Sequence, residues 1–120
     1  MKFLTRSMIA AVFVLAFAAQ ALAQNPNVAV RIDPAGKCAR IHLKNLRTTP
    51  LAVSYVELWI YDAKTCKRIC VTRKVVNQKI KPCESLDLEL CCENLPAASG
   101  YIYYVRVHHS LGVNEEWAFS

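Results

Sequence analysis

Residues 85–92, Ser-Leu-Asp-Leu-Glu-Leu-Cys-Cys, alternate polar and apolar almost without a break. Leu86, Leu88, Leu90 and Cys92 fall on one side of an extended chain, and Ser85, Asp87, Glu89 and Cys91 on the other. Successive side chains of a strand point to opposite faces of its sheet, so this period of two predicts one buried and one wet face. The pattern recurs. Ile41 and Leu43 oppose Arg40 and His42, and Val28, Val30 and Ile32 share a side of a third segment. Residues 73–76 are weaker but β-branched, and follow Ile69, Cys70 and Val71. No stripe with the 3.6-residue period of an amphipathic helix stands out after Gln24.

Two segments are apolar on both faces. In residues 53–61, Val56, Leu58 and Ile60 oppose Tyr55, Trp59 and Tyr61. In residues 101–107, Tyr101, Tyr103, Val105 and Val107 oppose Ile102, Tyr104 and Arg106. Such strands belong in the middle of a sheet, where neighbours cover more of both faces. Turn-forming residues separate the strands at 33–36, 45–50, 62–67, 77–84, 94–100 and 111–114, and residues 115–119 close the chain as an edge strand. Seven short strands at roughly ten-residue spacing predict an all-β fold, a single antiparallel β-sandwich. With no linker, repeat or low-complexity tract, residues 24–120 are expected to form one domain.

The first 23 residues read as a cleaved export signal. Lys2 and Arg6 precede an uncharged apolar run over residues 8–19, and Ala21-Leu22-Ala23 is a small-x-small cleavage site before Gln24. As a helix the run rises only about 18 Å, short of a roughly 30 Å hydrocarbon core, so a membrane span is not expected in the mature form. The expected location is the periplasm or the extracellular space. All six cysteines, Cys38, Cys66, Cys70, Cys83, Cys91 and Cys92, follow the cleavage site. An even number in a small exported domain reads as a disulfide framework.

The segment 56–62, a polar turn, then Lys81-Pro82-Cys83-Glu84-Ser85 and an alternating strand resemble immunoglobulin-like or fibronectin type III-like sandwiches. A tyrosine-rich strand follows, as in those domains. The resemblance covers nearly all of residues 24–120 and implies an architecture without assigning any functional residue. Turns that hold Cys66 and Cys83 here often carry Gly in such domains, which implies exposed turn positions for both cysteines. The Cys-Trp-Cys spacing of antibody domains is not met, since Cys38 precedes its strand.

Residues that carry chemistry are few. There is no Gly-x-Ser-x-Gly sequence, and His42 falls on the polar face of its strand. Asp87 with Glu89, and Glu115 with Glu116, are paired carboxylates whose simplest role is solvation of a surface. His108 and His109 are adjacent on a strand and therefore point to opposite faces, so they do not chelate one ion together. No Cys-x-x-Cys pair occurs, which weakens structural zinc, thioredoxin-like redox chemistry and covalent haem alike. No catalytic residue, metal ligand or cofactor is expected.

Charge is divided along the chain. Between residues 31 and 81, twelve Lys and Arg face Asp33, Glu57 and Asp62; from residue 82 onward, Arg106 alone opposes six acids. If the fold keeps these halves apart, molecules would associate head to tail. Arg40, His42 and Lys44 share a strand face, which suits an anionic surface or polyanionic glycan; export argues against nucleic acid. Tyr55, Trp59 and Tyr61 are core if the second sheet packs on them, the favoured arrangement, and a binding face if it does not. The expected function is a non-enzymatic module for protein binding or self-assembly. The alternatives are a filament or surface-layer subunit, a periplasmic accessory protein or inhibitor, and a small metal-binding protein.

Counting alternating strand directions places Cys38, Cys66, Cys70, Cys91 and Cys92 at one end of the sandwich and Cys83 at the other. Cys92 shares the inward face of the Leu86 strand. A core disulfide from Cys38 to Cys92 is therefore expected, with Cys91 bonded to Cys66 or Cys70.

Overall fold

The computed structural model describes residues 27–120. The expected export signal at residues 1–23, with its expected cleavage after Ala23, lies outside the described residues. Seven strands follow in order: β1 (Val28–Ala35), β2 (Cys38–Asn45), β3 (Leu51–Asp62), β4 (Arg68–Ile80), β5 (Ser85–Cys91), β6 (Tyr101–His109) and β7 (Gly112–Phe119). They form two antiparallel sheets, a three-stranded one ordered β1-β2-β5 and a four-stranded one ordered β4-β3-β6-β7. Among the described residues no helix forms. The two segments apolar on both faces, β3 and β6, are the two central strands of the larger sheet.

The core lies between the sheets, and the period-two residues supply it. Ile32, Ile41, Leu43 and Leu90 come from the smaller sheet; Val53, Val56, Leu58, Ile60, Tyr103, Val105 and Val107 come from the larger one. A bulge between Val53 and Tyr55 changes the phase of β3. Ser54 and Tyr55 both lie outside the core, so the inward set passes from Leu51 and Val53 to Val56, Leu58 and Ile60. Strand β4 runs further than its residue pattern predicts. Residues 77–80 were expected in a turn, yet Gln78, Lys79 and Ile80 pair with Val53, Ala52 and Leu51. Asn77, at φ 45°, absorbs the kink that allows this, a conformation Asn tolerates better than most residues.

Buried polar groups lock the turns. Asn45 is fully buried, and its amide donates to the carbonyls of Thr49 and Ile80 at 2.9 and 2.8 Å while its Oδ1 accepts from the Arg47 N–H. One side chain thus ties the chain leaving the smaller sheet to the end of β4. His109 points inward: its Nδ1 accepts from the Leu111 N–H, so its Nε2 carries the proton that reaches Asn114 Oδ1 at 2.7 Å.

The disulfides differ from the expected pairing. Cys38 bonds Cys91, and Cys70 bonds Cys92; Cys66 and Cys83 are free thiols, both exposed. Cys38 is already the first residue of β2, so alternation applies to it: Ala39 is buried and Cys38 faces outward. Cys91 is its register partner on β5 and faces outward too, whereas Cys92 turns inward and reaches across the sandwich to β4. On the chain-entropy model, sequence separations of 53 and 22 residues give about 4 and about 3 kcal/mol. Cys83 lies at the end opposite the bonded cysteines, its N–H donating to the Asn45 carbonyl. Cys66 and Cys83 have φ of 60° and 64°.

Candidate interaction face

Hydrogen-bond register places four rows of side chains on the outward face of the larger sheet, each reading from β4 across β3 and β6 to β7. Val75, Tyr55, His108 and Val113 form the first, and Arg73, Glu57, Arg106 and Glu115 the second. Val71, Trp59, Tyr104 and Trp117 form the third, and Arg68, Tyr61, Ile102 and Phe119 the last. The favoured expectation for Tyr55, Trp59 and Tyr61 is corrected here. They are not core, because the bulge and the phase of Val56, Leu58 and Ile60 turn them away from the smaller sheet.

The aromatic groups are mutually braced. Tyr55 stacks on His108 with ring centres 4.0 Å apart, and the Arg73 guanidinium covers Tyr55 at 4.0 Å. Trp59 meets Tyr104 edge to face at 6.2 Å, Tyr104 packs on Trp117 at 4.4 Å, and Arg68 lies 5.3 Å from the Trp59 ring centre. Cation–π and aromatic contacts of this kind hold the rings in place at low entropic cost on further contact. Val75, Phe119, Val71 and Val113 remain 59%, 48%, 43% and 37% exposed, which adds apolar surface at the rim of the face between Arg73, Arg68 and Glu115. Tyr61, Cys66, Ile102 and Trp117 line a shallow pocket of about 200 Å³ at one end, with the free thiol at its edge.

Charges are set between the aromatic rows. His108 Nε2 lies 2.9 Å from Glu57 Oε1, and Arg106 Nε lies 3.7 Å from Glu115. The Tyr104 hydroxyl donates to Glu115. Burial, and then that bond to a carboxylate, raises the Tyr104 phenol well above its ordinary range. The Trp59 Nε1–H is buried without an acceptor among the described residues.

The opposite face of the molecule is polar. Asp33, Arg40 and Glu89 lie in one row across β1, β2 and β5, and Arg31, His42 and Asp87 in the next. His42 hydrogen-bonds Asp87 through Nδ1 at 2.7 Å and Asp33 through Nε2 at 2.8 Å. The stripe Arg40, His42 and Lys44 is therefore interrupted on both sides by carboxylates and is no continuous cation surface. Nor does the fold keep the basic and acidic halves apart. Acidic β5 pairs with basic β2, and Glu115 on β7 lies beside Arg106 on β6. The premise for head-to-tail charge association is absent.

Cys38, Glu89 and Cys91 carry a sulfur or oxygen atom within 4.8 Å of one another, but the two sulfurs are bonded to each other and offer no thiolate. His108 and His109 point to opposite faces, outward to Glu57 and inward to Asn114. Among the described residues no helix is long and apolar enough to cross a membrane. Tyr104, Trp117, His108, Glu57, Arg73, Arg106 and Glu115 are among the members of the outward face that sequence reasoning did not bring to the site. The alternation of residues 101–107 put Tyr104 and Arg106 together, but only strand pairing sets them beside Trp59 and Glu57.

No protein-family model matches the chain, and no curated protein does. Among solved structures, the fold is similar to Northeast Structural Genomics Consortium target SoR45, with 12% identity, 78% of this chain and 81% of that one covered, and a TM-score of 0.53. A hypothetical protein from Pyrococcus horikoshii OT3 is 11% identical over 77% of this chain and 84% of its own, with a TM-score of 0.46. A superoxide reductase in the oxidised state is 10% identical over 77% and 85%, with a TM-score of 0.39. Such identities speak to fold alone, and only the first similarity is strong enough to bear on it. The molecule is an all-β protein of two packed antiparallel sheets.

Proposed function

We propose that the protein is an exported, non-enzymatic module of the immunoglobulin-like or fibronectin type III-like kind, and that it works by binding protein through the outward face of its four-stranded sheet. The observation that carries this reading is the row Val71, Trp59, Tyr104 and Trp117, its three aromatic side chains braced against one another on a face that no other described element covers. Large apolar surface left outside a core marks interaction sites, and Trp, Tyr and Arg are enriched at their centres. The strand order supports the architectural part. The first, second and fifth strands form one sheet, and the third, sixth and seventh lie in the other, as strands A, B, E and C, F, G do in immunoglobulin sandwiches. The fourth strand joins the second sheet, where the constant-type arrangement has it in the first. Two disulfides support an oxidising compartment, and with it the export signal.

A photo-crosslinking amino acid at the exposed position of Val71, and in a control at Ala29 on the opposite sheet, tests the reading in the native host's exported fraction. Protein adducts from Val71 and none from Ala29 are expected. Equal adduct formation at both positions, or none at Val71, would overturn it. N-terminal sequencing of the exported form is expected to begin at Gln24.

A second reading, a subunit of an extracellular filament or surface layer, is favoured by Cys66 and Cys83, which are exposed thiols at opposite ends of the sandwich. It predicts native polymers, visible by electron microscopy, that reduction takes apart.

A further inference from the structure

Resting on that reading of the outward face, we propose that its occupant is a second copy of this chain, packed face to face about a two-fold axis parallel to the strands. The charged row decides the geometry. In order across the sheet it reads Arg73, Glu57, Arg106, Glu115, alternating positive and negative. A two-fold axis parallel to the strands reverses that order in the second copy. Arg73 then meets the second copy's Glu115, Glu57 meets its Arg106, and both pairs recur by symmetry. A two-fold axis across the strands that keeps this row facing itself would set Arg against Arg and Glu against Glu. Like charges opposed at an interface are strongly unfavourable, so only the first arrangement is self-complementary.

The neighbouring row fits the same operation. Reversal sets Val71 against the second copy's Trp117 and Trp59 against its Tyr104, so aromatic surface meets aromatic or aliphatic surface at every position. No carboxylate or guanidinium in the charged row is brought onto a ring. The charges are also held ready for it. Glu57 is fixed by His108, the Arg73 guanidinium lies over the Tyr55 ring, and Arg106 sits beside Glu115. Groups already ordered in the free molecule lose little further freedom on association.

Size sets the strength. Four strands roughly 4.8 Å apart, with four rows roughly 6.8 Å apart, present a face on the order of 500 Å². Two such faces bury about 1,000 Å², near the lower bound for a specific interface. The dimer is therefore weak and its population depends on concentration.

Sedimentation velocity on the exported form tests this. The wild-type protein is expected to shift from monomer to dimer between about 10 and several hundred micromolar at low salt, and to dissociate several-fold more readily at about 0.5 M salt as the charge pairs are screened. Arg73→Glu and Glu115→Arg should each weaken association at least tenfold, and an equimolar mixture of the two variants should restore it, because each new charge then meets its opposite. Glu115 also holds Tyr104, so Val71→Arg serves as an independent variant at an exposed site and should likewise weaken association at least tenfold. Circular dichroism and melting confirm that each variant is folded. A wild-type protein that remains monomeric at several hundred micromolar, or variants that dimerise alone as well as the wild type, would overturn the second copy as occupant. In that event Val71 crosslinks to a different protein would leave the binding reading of the face standing, whereas no crosslinks at all would remove both.

Discussion

The Tyr103 hydroxyl, on central strand β6, donates a 2.6 Å hydrogen bond to the Gly36 carbonyl in the β1–β2 turn of the other sheet. Tyr103 is completely buried, and Gly36 takes φ +67°, so one phenol anchors a left-handed turn to the core. Tyr103→Phe keeps the ring and leaves that carbonyl without its donor. A loss of about 1–2 kcal/mol is expected, and a melting temperature lower by about 5 °C. Urea and thermal unfolding of the variant check it; unchanged stability would mean the bond is replaced by solvent at no cost.

Alkylation of the native, unreduced protein should label Cys66 and Cys83 and spare the other four cysteines, since only those two are free and exposed. Peptide mapping should then recover Cys38 linked to Cys91 and Cys70 linked to Cys92. Replacing Cys70 and Cys92 together by Ser should cost at least the loop-closure contribution of about 3 kcal/mol, because it also puts a hydroxyl at the buried Cys92 position.

His42 bridges three strands, and its pKa is raised above 6.5 chiefly by the hydrogen bond to Asp87 and then by that to Asp33, with burial and Arg31 opposing. A folded-state pKa above the unfolded value stabilises the protein fully below about pH 6.5 and loses that stabilisation as pH rises through the folded value. Both carboxylate partners of His42 are exposed to solvent, so the effect should stay below about 1 kcal/mol. Comparing wild type with His42→Gln by urea titration from pH 5 to 9 should show an advantage for the wild type at the acidic end that fades toward the alkaline end.

Glu116 is an acid whose pKa is raised by burial. Its folded-state pKa exceeds the unfolded one, so ionisation opposes folding once pH passes through the folded value. Glu116→Gln should therefore stabilise the protein at pH 7, by less than about 1 kcal/mol given its partial exposure, and have little effect at pH 4. A variant less stable than wild type at pH 7 would show that the ionised carboxylate has a compensating partner.

The strands were legible because alternation is local. Leu86, Leu88 and Leu90 opposed to Asp87 and Glu89 mark β5 before any neighbour is known, and the same holds for Ile41 and Leu43 in β2. Residues 77–80 were not legible as strand, because nothing local shows that Leu51 and Val53 will offer them ladder partners. The Cys38 pairing failed for a related reason. Whether Cys38 ends a turn or begins β2 depends on Cys91 lying opposite it, and that single residue decides which face its sulfur takes.

The sequence by itself determined that this chain is β-rich, where most strands lie, and which side of each strand is apolar, since those follow from the two-residue repeat of an extended backbone. Which strands lie side by side, and so which charges and rings become neighbours, was decided by the tertiary structure. Arg73, Glu57, Arg106 and Glu115 are dispersed over 59 positions of sequence and meet only because β4, β3, β6 and β7 are hydrogen-bonded in that order. The same pairing sets Asp33, Asp87 and Glu89 among Arg40 and His42, which turns a basic segment into a mixed surface. Whether Tyr55, Trp59 and Tyr61 are core or surface was likewise undecidable from an isolated strand that is apolar on both sides. The smaller sheet covers only one face of the larger, and it takes the face carrying Val56, Leu58 and Ile60, whose branched side chains interdigitate with Ile41, Leu43 and Leu90.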